Sequence, residues 1–498
     1  MNDAQAIREE ARFPVDRAAL LRRLRTVLPD DALVVDSELL RPYECDALTA
    51  YRQMPLLVAL PANESEVQAV LRICHELRVP VVTRGAATGL SGGAMPHADG
   101  VLLCLAKLKQ IVKLDPLACT AVVQTGVRNL AVAQAAEAFS LIYAPDPSSQ
   151  IACTLGGNVA ENAGGVHCLK YGLTLHNVLQ LRALTIEGEV LTFGSMAPDT
   201  PGYDLLALMH GSEGMLAVIT EVTLRLLPQP ESAKLFLVSF QTVSQAAAAV
   251  AAIIAAGIIP AGLEMMDQNA VHAVESYVHA GYDLTAAAIL LCELDGVADE
   301  IAADQIRLLA ILEQSGASRI RAAQNEIERR QWWAGRKAAF PAVGRLTPDY
   351  LCMDGTIPRR HLAQMLQTIA DLATHYGLRC VNVFHAGDGN LHPVIMYDSS
   401  VSDQLERAMA FGAEILEHSV RLGGSITGEH GVGVEKLAQM CLQFTPSEIA
   451  LFHRLKWAFD PAGLLNPGKA IPTPARCREY RQARAMSEFS HLGGRSVA

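Results

Sequence analysis

Three glycine-rich stretches, all in the first half of the sequence, limit the choice of folds more than any other feature of this chain. The first runs from Val81 to Ala94, where an apolar, strand-like segment leads into a loop that contains four glycines. Such loops let backbone N–H groups converge on an anion, and the hydroxyls of Thr88 and Ser91 add donors. The loop lacks the patterns of a P-loop and of a dinucleotide-binding turn. By itself it is equally consistent with a tight turn.

The second and third stretches favour a ligand over a turn. Residues 154–165 carry two Gly-Gly pairs with interleaved asparagines and follow the run Pro-Asp-Pro-Ser at 145–148. Glycine pairs are unfavourable in a plain core. Residues 211–220 place small side chains where a backbone could face a flat ligand. Together the three stretches predict a large, phosphate-bearing cofactor that lies across one domain.

The apolar pattern divides the chain into two parts. An apolar strand at 56–60, a helical pattern from Ser65 to Leu77 and a strand at 81–83 predict a βαβ unit, and alternation continues to about 230. After Pro230 the pattern becomes that of a second α+β domain. The predicted segments are an N-terminal helical segment (1–50), a cofactor domain (51–230), a second domain (231–430), a C-terminal helical segment (431–475) and a partly ordered basic tail (476–498).

Composition excludes several classes of protein. The formal net charge of −11 argues against an electrostatic nucleic-acid binder. No secretory signal opens the chain, and the longest apolar run is interrupted by Gly257 and stopped by Pro260, so we expect a cytoplasmic protein without a membrane span. The 11 cysteines form no Cys-x-x-Cys pair, which predicts reduced core thiols and no iron–sulfur cluster in this chain.

Two histidines flank a turn-like sequence in the second half of the chain. His385 and His392 enclose Ala-Gly-Asp-Gly-Asn, which is typical of a hairpin loop. If residues 386–391 form that loop, the two imidazoles lie opposite each other, with Cβ atoms roughly 5 Å apart. Glu429, between glycines in residues 425–433, would complete a metal site of two histidines and one carboxylate. Either histidine could instead be an ordinary core or turn residue.

The ordered set of motifs resembles a known superfamily from about residue 55 to residue 470. The glycine stretches resemble the flavin domain of the vanillyl-alcohol oxidase and p-cresol methylhydroxylase superfamily. Within it, residues 384–392, 428–431 and 466–469 resemble the FAD-dependent D-2-hydroxyacid dehydrogenases, a branch that includes D-lactate dehydrogenase and the flavoprotein subunit of glycolate oxidase. The resemblance implies an α+β fold with a p-cresol methylhydroxylase-type FAD domain, an α+β substrate (cap) domain that carries the metal site, and a C-terminal segment that returns to the FAD domain.

The resemblance also implies FAD, with its pyrophosphate on the loop at 84–93 and its flavin against residues 145–165 and 211–220. Some members attach the flavin through a histidine in or near the first loop. None occurs between 84 and 95, so we expect dissociable FAD. The residues expected to contact FAD are Arg84, Gly85, Thr88, Gly89, Leu90, Ser91, Gly92, Pro145, Asp146, Ser148, Thr154, Gly156, Gly157, Asn158, Asn162, Gly164, Gly165, Glu213, Ile219 and Asn466.

By the same resemblance, His385, His392 and Glu429 bind the metal, expected to be Zn with Mn or Fe as alternatives, and His430 is the catalytic base. Arg336 matches a Trp-x-x-Arg element and offers a bidentate fork for a substrate carboxylate. Lys337 and Asn390 are further candidate substrate contacts, and Arg345 is an alternative to Arg336. Phe340, four residues after Arg336, argues against a long dicarboxylate substrate.

These assignments predict oxidation of a D-2-hydroxy acid to the 2-oxo acid, with hydride transfer to flavin N5. Electrons would then pass to an external acceptor: an iron–sulfur partner subunit, a quinone or another flavoprotein. A partner could also hold the chain at the inner membrane. Two other functions stay open, namely a metal-dependent hydrolase without flavin and a flavin electron-transfer subunit whose substrate site is inactive.

Overall fold

The computed structural model describes residues 13–197, 201–478 and 480. Eighteen strands are named in chain order: β1 (Leu33–Val34), β2 (Leu57–Ala59), β3 (Val81–Arg84), β4 (Val101–Cys104), β5 (Ile111–Asp115), β6 (Thr120–Gln124), β7 (Leu141–Ile142), β8 (Val178–Leu184), β9 (Val190–Gly194), β10 (Val218–Arg225), β11 (Leu227–Pro228), β12 (Ser232–Phe240), β13 (Gly262–Asp267), β14 (Ala288–Gly296), β15 (Ala317–Ala322), β16 (Asp349–Cys352), β17 (Cys380–Phe384) and β18 (Pro393–Tyr397).

Helices connect and cover these strands. The α-helices are Arg17–Leu24, Ser37–Leu40, Glu64–Glu76, Asn129–Glu137, Leu155–Glu161, Cys168–Tyr171, Leu205–Met209, Val243–Ala255, Gln268–Val278, Ala298–Gln314, Glu326–Lys337, Ala339–Val343, Leu362–Tyr376, Gln404–Arg421, Leu437–Gln443 and Pro446–Phe459. Short 3-10 helices occur at Asp30–Ala32, Arg41–Tyr43, Thr174–Asn177 and Arg359–His361. This mixture of helices and sheets confirms the predicted α+β class.

The first sheet has the strand order β1-β2-β4-β3, and its last three strands are parallel. The predicted βαβ unit is present: β2 leads into the helix Glu64–Glu76, which Asn63 caps, and the chain returns as β3. The strand β4 is inserted between the two strands of this unit. Val67, Val70 and Leu71 form the buried face of the helix, as their three- and four-residue spacing predicts. The first glycine loop therefore begins at the end of a buried parallel strand.

The second sheet is antiparallel, with the order β5-β6-β10-β8-β9. The helix Leu155–Glu161, which contains the first Gly-Gly pair of the second glycine stretch, packs against β6 and β10. The third glycine stretch leads directly into β10. All three stretches therefore meet between the first two sheets. A separate two-stranded sheet pairs β7 with β11.

The third sheet is the largest and has the antiparallel order β15-β12-β14-β13-β17-β18-β16. Apolar side chains cover both of its faces. On β14, Leu290 packs into one core with the helix Val243–Ala255, whereas its neighbour Leu291 packs into the other with Trp332. Burial on both faces explains why β14 is an almost continuous apolar run, without the alternation of a half-exposed strand.

The end of the chain returns to the first sheet. Leu465 forms a parallel bridge with Val81, and the Asn466 side-chain amide donates hydrogen bonds to the carbonyls of Gly93 and Glu213 at 3.0 and 2.6 Å. These contacts join residues near 465 to the first and third glycine stretches. The proposed boundaries of the five segments stay predictions. Residues 1–12 of the N-terminal segment and residues 479 and 481–498 of the tail lie outside the described residues.

The prediction of reduced thiols throughout is wrong in one place, because Cys441 and Cys477 form a disulfide with a Cα–Cα distance of 5.3 Å. Because Cys441 lies on the helix Leu437–Gln443 and Cys477 is 36 residues further along the chain, no local sequence pattern links the two. The other nine cysteines are free and mostly buried. No helix in the described part of the chain is both long and apolar enough to cross a membrane.

Candidate active site

One cavity connects the glycine stretches with the predicted metal residues. Twelve of the residues expected to contact FAD line it: Arg84, Gly85, Thr88, Gly89, Leu90, Ser148, Thr154, Gly156, Gly157, Asn158, Glu213 and Ile219. His392, Glu429 and His430 line it as well, together with Lys337 from the second domain. The structure thus brings most of the predicted cofactor residues, two of the three predicted metal residues and the predicted base to the walls of the same cavity. The third metal residue, His385, is buried and does not line it.

The other residues expected to contact FAD do not line the cavity but support its walls. Ser91 donates a hydrogen bond to the His430 carbonyl, the Gly164 N–H donates to Glu429, and Asp146 accepts from Lys337. Asn466 holds the Gly93 and Glu213 carbonyls. The remaining contacts are local: Pro145 accepts from Asn129, Asn162 accepts from the Leu175 N–H, Gly92 packs against Val434, and Gly165 packs against Asp146.

The cavity walls approach each other so closely that only glycine fits at two positions. A Cβ on Gly85 would lie 2.3 Å from Thr154 Oγ1, and a Cβ on Gly156 would lie 1.7 Å from Thr125 Oγ1. Arg84 anchors the first loop, because its guanidinium donates to the carbonyls of Tyr43 and Cys45. A glycine-lined groove between two sheets, with backbone groups at its surface, fits a flat cofactor with a phosphate tail.

The hairpin that carries the two histidines differs in register from its prediction. Asn382 pairs with Pro393, and His385 forms a bridge with Asn390, so His385 is not directly opposite His392. The loop has four residues, 386–389, instead of six, and Gly389 has a φ of +75° that suits this tight turn. A shift of two residues keeps a side chain on the same face of a sheet. The two imidazole rings accordingly remain neighbours, with centroids 5.0 Å apart.

Glu429 joins the two histidines. Its Oε1 lies 3.2 Å from His385 Nε2 and 3.3 Å from His392 Nε2, and its Oε2 accepts the Gly164 N–H at 2.7 Å. One ligand atom from each residue falls within 4.8 Å of the others. Burial raises the pKa of Glu429, but the combined effect of His385, His392 and His430 is larger and lowers this pKa to about 2. Two imidazoles and an ionised carboxylate at this spacing fit a divalent metal.

Glu264 was not predicted, yet it orients one of these histidines. This buried residue of β13 accepts a hydrogen bond from His385 Nδ1 at 2.8 Å, and its other oxygen lies 2.6 Å from Arg336 Nη2. A carboxylate behind a histidine fixes the ring and leaves Nε2 free for a metal. The sequence contains one signal for this role, namely an acidic residue in the middle of the apolar run Leu263–Met266.

Arg336, which was predicted to bind the substrate carboxylate, lies behind His385 and pairs with Glu264 instead. It is 1% exposed and does not belong to the cavity lining. Lys337, the next residue, does line the cavity and donates to Asp146 at 2.8 Å. Arg345, the alternative, lies over the ring of Tyr277. Successive helix positions point in different directions, and here Lys337 faces the cavity whereas Arg336 faces β13.

Asp354 is the second residue that the sequence analysis missed. Its buried carboxylate accepts hydrogen bonds from the backbone N–H groups of Gly428, Glu429 and His430 and from the Thr427 hydroxyl. Asp354, His392 and His430 also form a group with metal-ligand spacing. These four donors all reach Asp354 Oδ2, while its Oδ1 lies 3.4 Å from His392 Nε2. His385, His392 and Glu429 are the better set, because one Glu429 oxygen approaches both of its histidines. Asn390 packs against Gly428 and does not line the cavity.

His430 is a neutral imidazole on the cavity wall. Burial is the main cause that lowers its pKa, to about 4, and the neighbouring Asp354 carboxylate only partly opposes this. Its Nδ1 is buried and has no hydrogen-bond partner among the described residues, and its Nε2 lies 4.0 Å from Glu429 Oε1. Its ring centroid is 4.7 Å from that of His392. A neutral imidazole beside a metal-ligand group can accept a proton from a bound hydroxyl.

The fold and the site together define a flavin-binding oxidoreductase. Residues 55–194 match the family described as "FAD binding domain", and residues 229–470 match "FAD linked oxidases, C-terminal domain". The chain is 58% identical over 466 residues to glycolate oxidase subunit GlcD of Escherichia coli K12, covering 94% of this chain and 93% of that protein. The chain therefore belongs to the family of FAD-linked hydroxy-acid oxidases and dehydrogenases, and the predicted use of FAD is confirmed.

Other relatives and solved structures agree. Glycolate oxidase subunit GlcD of Bacillus subtilis is 40% identical, covering 88% of this chain and 93% of its own length, and a D-lactate dehydrogenase of Anaerostipes hadrus is 31% identical, covering 90% and 96%. The fold is similar to that of p-cresol methylhydroxylase, with a TM-score of 0.75 and 17% identity over 91% of this chain and 96% of that one. It is also similar to that of 4-ethylphenol oxidase from Gulosibacter chungangensis, with a TM-score of 0.78 and 16% identity over 92% of this chain and 98% of that one. The predicted p-cresol methylhydroxylase-type fold is confirmed.

Proposed function

We propose that this FAD-linked enzyme oxidises a short D-2-hydroxy acid, similar to glycolate or D-lactate, to the 2-oxo acid and depends on a divalent metal held by His385, His392 and Glu429. The observation that carries this proposal is the position of His430, whose neutral imidazole lines the same cavity as the expected FAD residues and neighbours His392. The names of the relatives, glycolate oxidase subunit and D-lactate dehydrogenase, support the substrate class.

The mechanism divides between the groups bound in the cavity and the side chains. FAD supplies the two-electron oxidation, and a metal at the three ligands would supply a Lewis acid that lowers the pKa of a bound hydroxyl. His430 removes the hydroxyl proton at Nε2, the ring nitrogen nearer to Glu429. Asp354 holds the backbone of residues 428–430 and so keeps the base and the ligand in fixed relation.

The substrate carboxylate needs a cation in an otherwise acidic chain. Arg84 and Lys337 both line the cavity, but the Arg84 guanidinium already donates to two backbone carbonyls. We therefore assign the carboxylate to the Lys337 ammonium group, which Asp146 holds in place. Arg336 acts through Glu264 on the orientation of His385. Phe340 and Tyr350 also line the cavity beside Lys337. These apolar walls suit a short side chain better than a second carboxylate.

The reduced cofactor requires an acceptor outside this chain. In the described part of the chain, the residue groups with metal-ligand spacing are the two at the active site, and neither contains cysteine. The GlcD relatives are named as subunits, which implies partner subunits for those proteins. We therefore propose an external acceptor, with an iron–sulfur subunit as the first candidate and a quinone or another flavoprotein as alternatives.

The two rival functions make different predictions. Matches to two FAD families disfavour a hydrolase without flavin. An electron-transfer subunit with an inactive substrate site should lack the catalytic constellation, yet His385, His392, Glu429 and His430 lie within one cluster.

The decisive experiment mixes the FAD-loaded protein anaerobically with D-lactate, glycolate, L-lactate and D-2-hydroxyglutarate and follows flavin absorbance in a stopped-flow instrument. We expect bleaching by glycolate or D-lactate and much slower bleaching by L-lactate and the dicarboxylate. A chelated sample should keep its flavin but lose the reaction, and added Zn²⁺ or Mn²⁺ should restore it. Absence of bleaching by every acid in a metal-replete sample would contradict the proposal.

A further inference from the structure

Two acidic side chains at the cavity, the buried Glu213 and the half-buried Glu161, have no part in the mechanism above. Glu161 ends the helix Leu155–Glu161, and Glu213 lies in the third glycine stretch; both line the cavity. Their carboxyl groups flank Gly431, where a Cβ would lie 2.2 Å from Glu161 Oε2 and 3.0 Å from Glu213 Oε1. The two groups therefore face the same small space. Two carboxylates in one site cannot both ionise easily.

Glu213 is built to be the ionised member of this pair. Its Oε1 accepts the Val432 N–H and its Oε2 accepts the Gly433 N–H, both at 2.7 Å. Its backbone has a left-handed φ of +49°, and Asn466 holds its carbonyl in that conformation. Burial raises the pKa of Glu213, but the two N–H donors oppose that rise and favour the carboxylate over the carboxylic acid. Through these two hydrogen bonds, Glu213 holds the turn that follows His430 in place.

Glu161 has no comparable donors. Its Oε2 is buried and lacks a hydrogen-bond partner within the described part of the chain. Burial raises its pKa well above the usual range, and the charges of Glu213 and Asp46 add to the increase, while Lys436 and Lys469 reduce it. Both lysines already donate elsewhere, Lys436 to the Gly431 carbonyl and Lys469 to the Asn466 side chain. The proton of the pair therefore belongs on Glu161.

We propose that Glu161 is a neutral carboxylic acid that donates a hydrogen bond to the bound FAD, while Glu213 beside it stays ionised. Reduction adds negative charge to the flavin, which would repel an ionised Glu161 but is stabilised by a neutral donor. The hydrogen bond from neutral Glu161 therefore stabilises the reduced flavin and raises its midpoint potential. The inference rests on FAD binding and not on the proposed substrate, so failure of one does not imply failure of the other.

Infrared difference spectroscopy of the FAD-loaded protein, oxidised against dithionite-reduced, tests the proposal without substrate. We expect a C=O band of a protonated carboxyl group that shifts when the flavin is reduced. Glu161→Gln keeps size, neutrality and a donor, so it should leave FAD bound but remove this band. Glu435→Gln is the matched control, because Glu435 is a buried acid with a raised pKa of about 7 that does not line the cavity. It should leave the band in place.

The flavin midpoint potential provides a second measurement. Glu161→Gln should keep the potential near that of the wild type, and Glu161→Leu, which removes the donor, should shift it to a more negative value. The proposal is overturned if the reduction-sensitive band survives Glu161→Gln, if Glu435→Gln removes it, or if no protonated-carboxyl band responds to flavin reduction. Equal potentials for wild type and Glu161→Leu would overturn it as well.

Discussion

Glu429 is the anionic member of the proposed metal group, and a single one of its oxygens approaches both histidines. Glu429→Gln replaces that anion with a neutral amide of the same size, so we expect most of the metal to be lost while FAD stays bound. Elemental analysis together with flavin absorbance measures both. Glu435→Gln serves as the control because it removes an acid six residues further along the same loop. Equal metal content in Glu429→Gln and wild type would contradict the ligand assignment.

His430 is next to Glu429 in the chain, so loss of activity alone cannot separate the base from the ligand. We expect His430→Asn to keep metal and FAD but to slow flavin reduction by roughly 10²–10⁴-fold, the usual contribution of a general base. Single-turnover reduction by the best hydroxy acid, with metal analysis of the same sample, checks this. A variant that releases its metal, or that reduces its flavin at the wild-type rate, would show that His430 is not the base.

Arg336 and Lys337 are neighbours with different surroundings, and their variants should have different effects. Lys337→Met removes the ammonium group from the cavity wall and should raise KM by roughly 10- to 100-fold with unchanged metal content. Arg336→Lys keeps the charge but loses the planar fork beside Glu264, so it should weaken metal binding by roughly 10- to 100-fold. Steady-state kinetics and metal titration give both values. The reverse pattern would return the substrate carboxylate to Arg336.

Residue types with distinctive chemistry could be identified from the sequence, whereas their supporting partners could not. His385, His392, Glu429 and His430 stand in unusual glycine-rich contexts and do meet in space. Glu264 lies 121 residues from His385, and Asp354 lies 76 residues from His430. No local pattern links such pairs, because their contact depends on how β13 and residues 352–356 pack beside the histidine hairpin.

At the scale of elements, the histidine hairpin shows that an error in predicted strand register need not change which side chains share a face of the sheet. Its register differs by two residues from the prediction, yet the side chains that share a face are the same. Val381, Val383, Val394 and Met396 all belong to one apolar core, as the two-residue period predicts. A shift of one residue would have sent one imidazole to the other face. Face assignment therefore depends on periodicity, whereas register depends on the turn.

The helix Leu155–Glu161 provides a test of packing at the cavity wall. Gly→Ala in a helix usually adds about 0.5–1 kcal/mol of stability, but at Gly156 the new Cβ would lie 1.7 Å from Thr125 Oγ1. We expect Gly156→Ala to lower the free energy of unfolding, since overpacking costs about 1–3 kcal/mol. Thermal unfolding of the FAD-loaded protein measures it.

Gly157→Ala is the matched control in the same helix, because its Cβ would lie 3.3 Å from Thr154 Oγ1, a distance that a small adjustment relieves. Its effect on the unfolding temperature should be smaller than that of Gly156→Ala. If both variants unfold at the wild-type temperature, the close approach of the helix to β6 is not a constraint on this fold.

At the scale of the whole molecule, the active site is assembled from segments far apart in the sequence. Gly164 in the first half binds Glu429 in the second, and Ser91 binds the His430 carbonyl. The local patterns predict strands, helices and a phosphate-bearing cofactor on the three glycine stretches, and the resemblance of the motifs to a known family predicts that this cofactor is FAD. The sequence could not predict which loops touch, since the loops meet only when the third sheet packs against the first two.

The last prediction concerns an ion-pair network that joins the first half of the chain to β14 of the third sheet. His167 from the first half lies 3.0 Å from Asp146 and 3.3 Å from Glu293 of β14. Burial lowers the pKa of His167, but the two carboxylates outweigh it and raise the pKa from 6.5 to about 10. The imidazolium therefore stabilises the fold fully below pH 6.5, and this contribution disappears as pH rises towards 10. Denaturant unfolding should show stability falling over that range in wild type and a flatter profile in His167→Gln. The exposed His272→Gln should follow wild type, and a wild-type slope in His167→Gln would exclude the network as the cause.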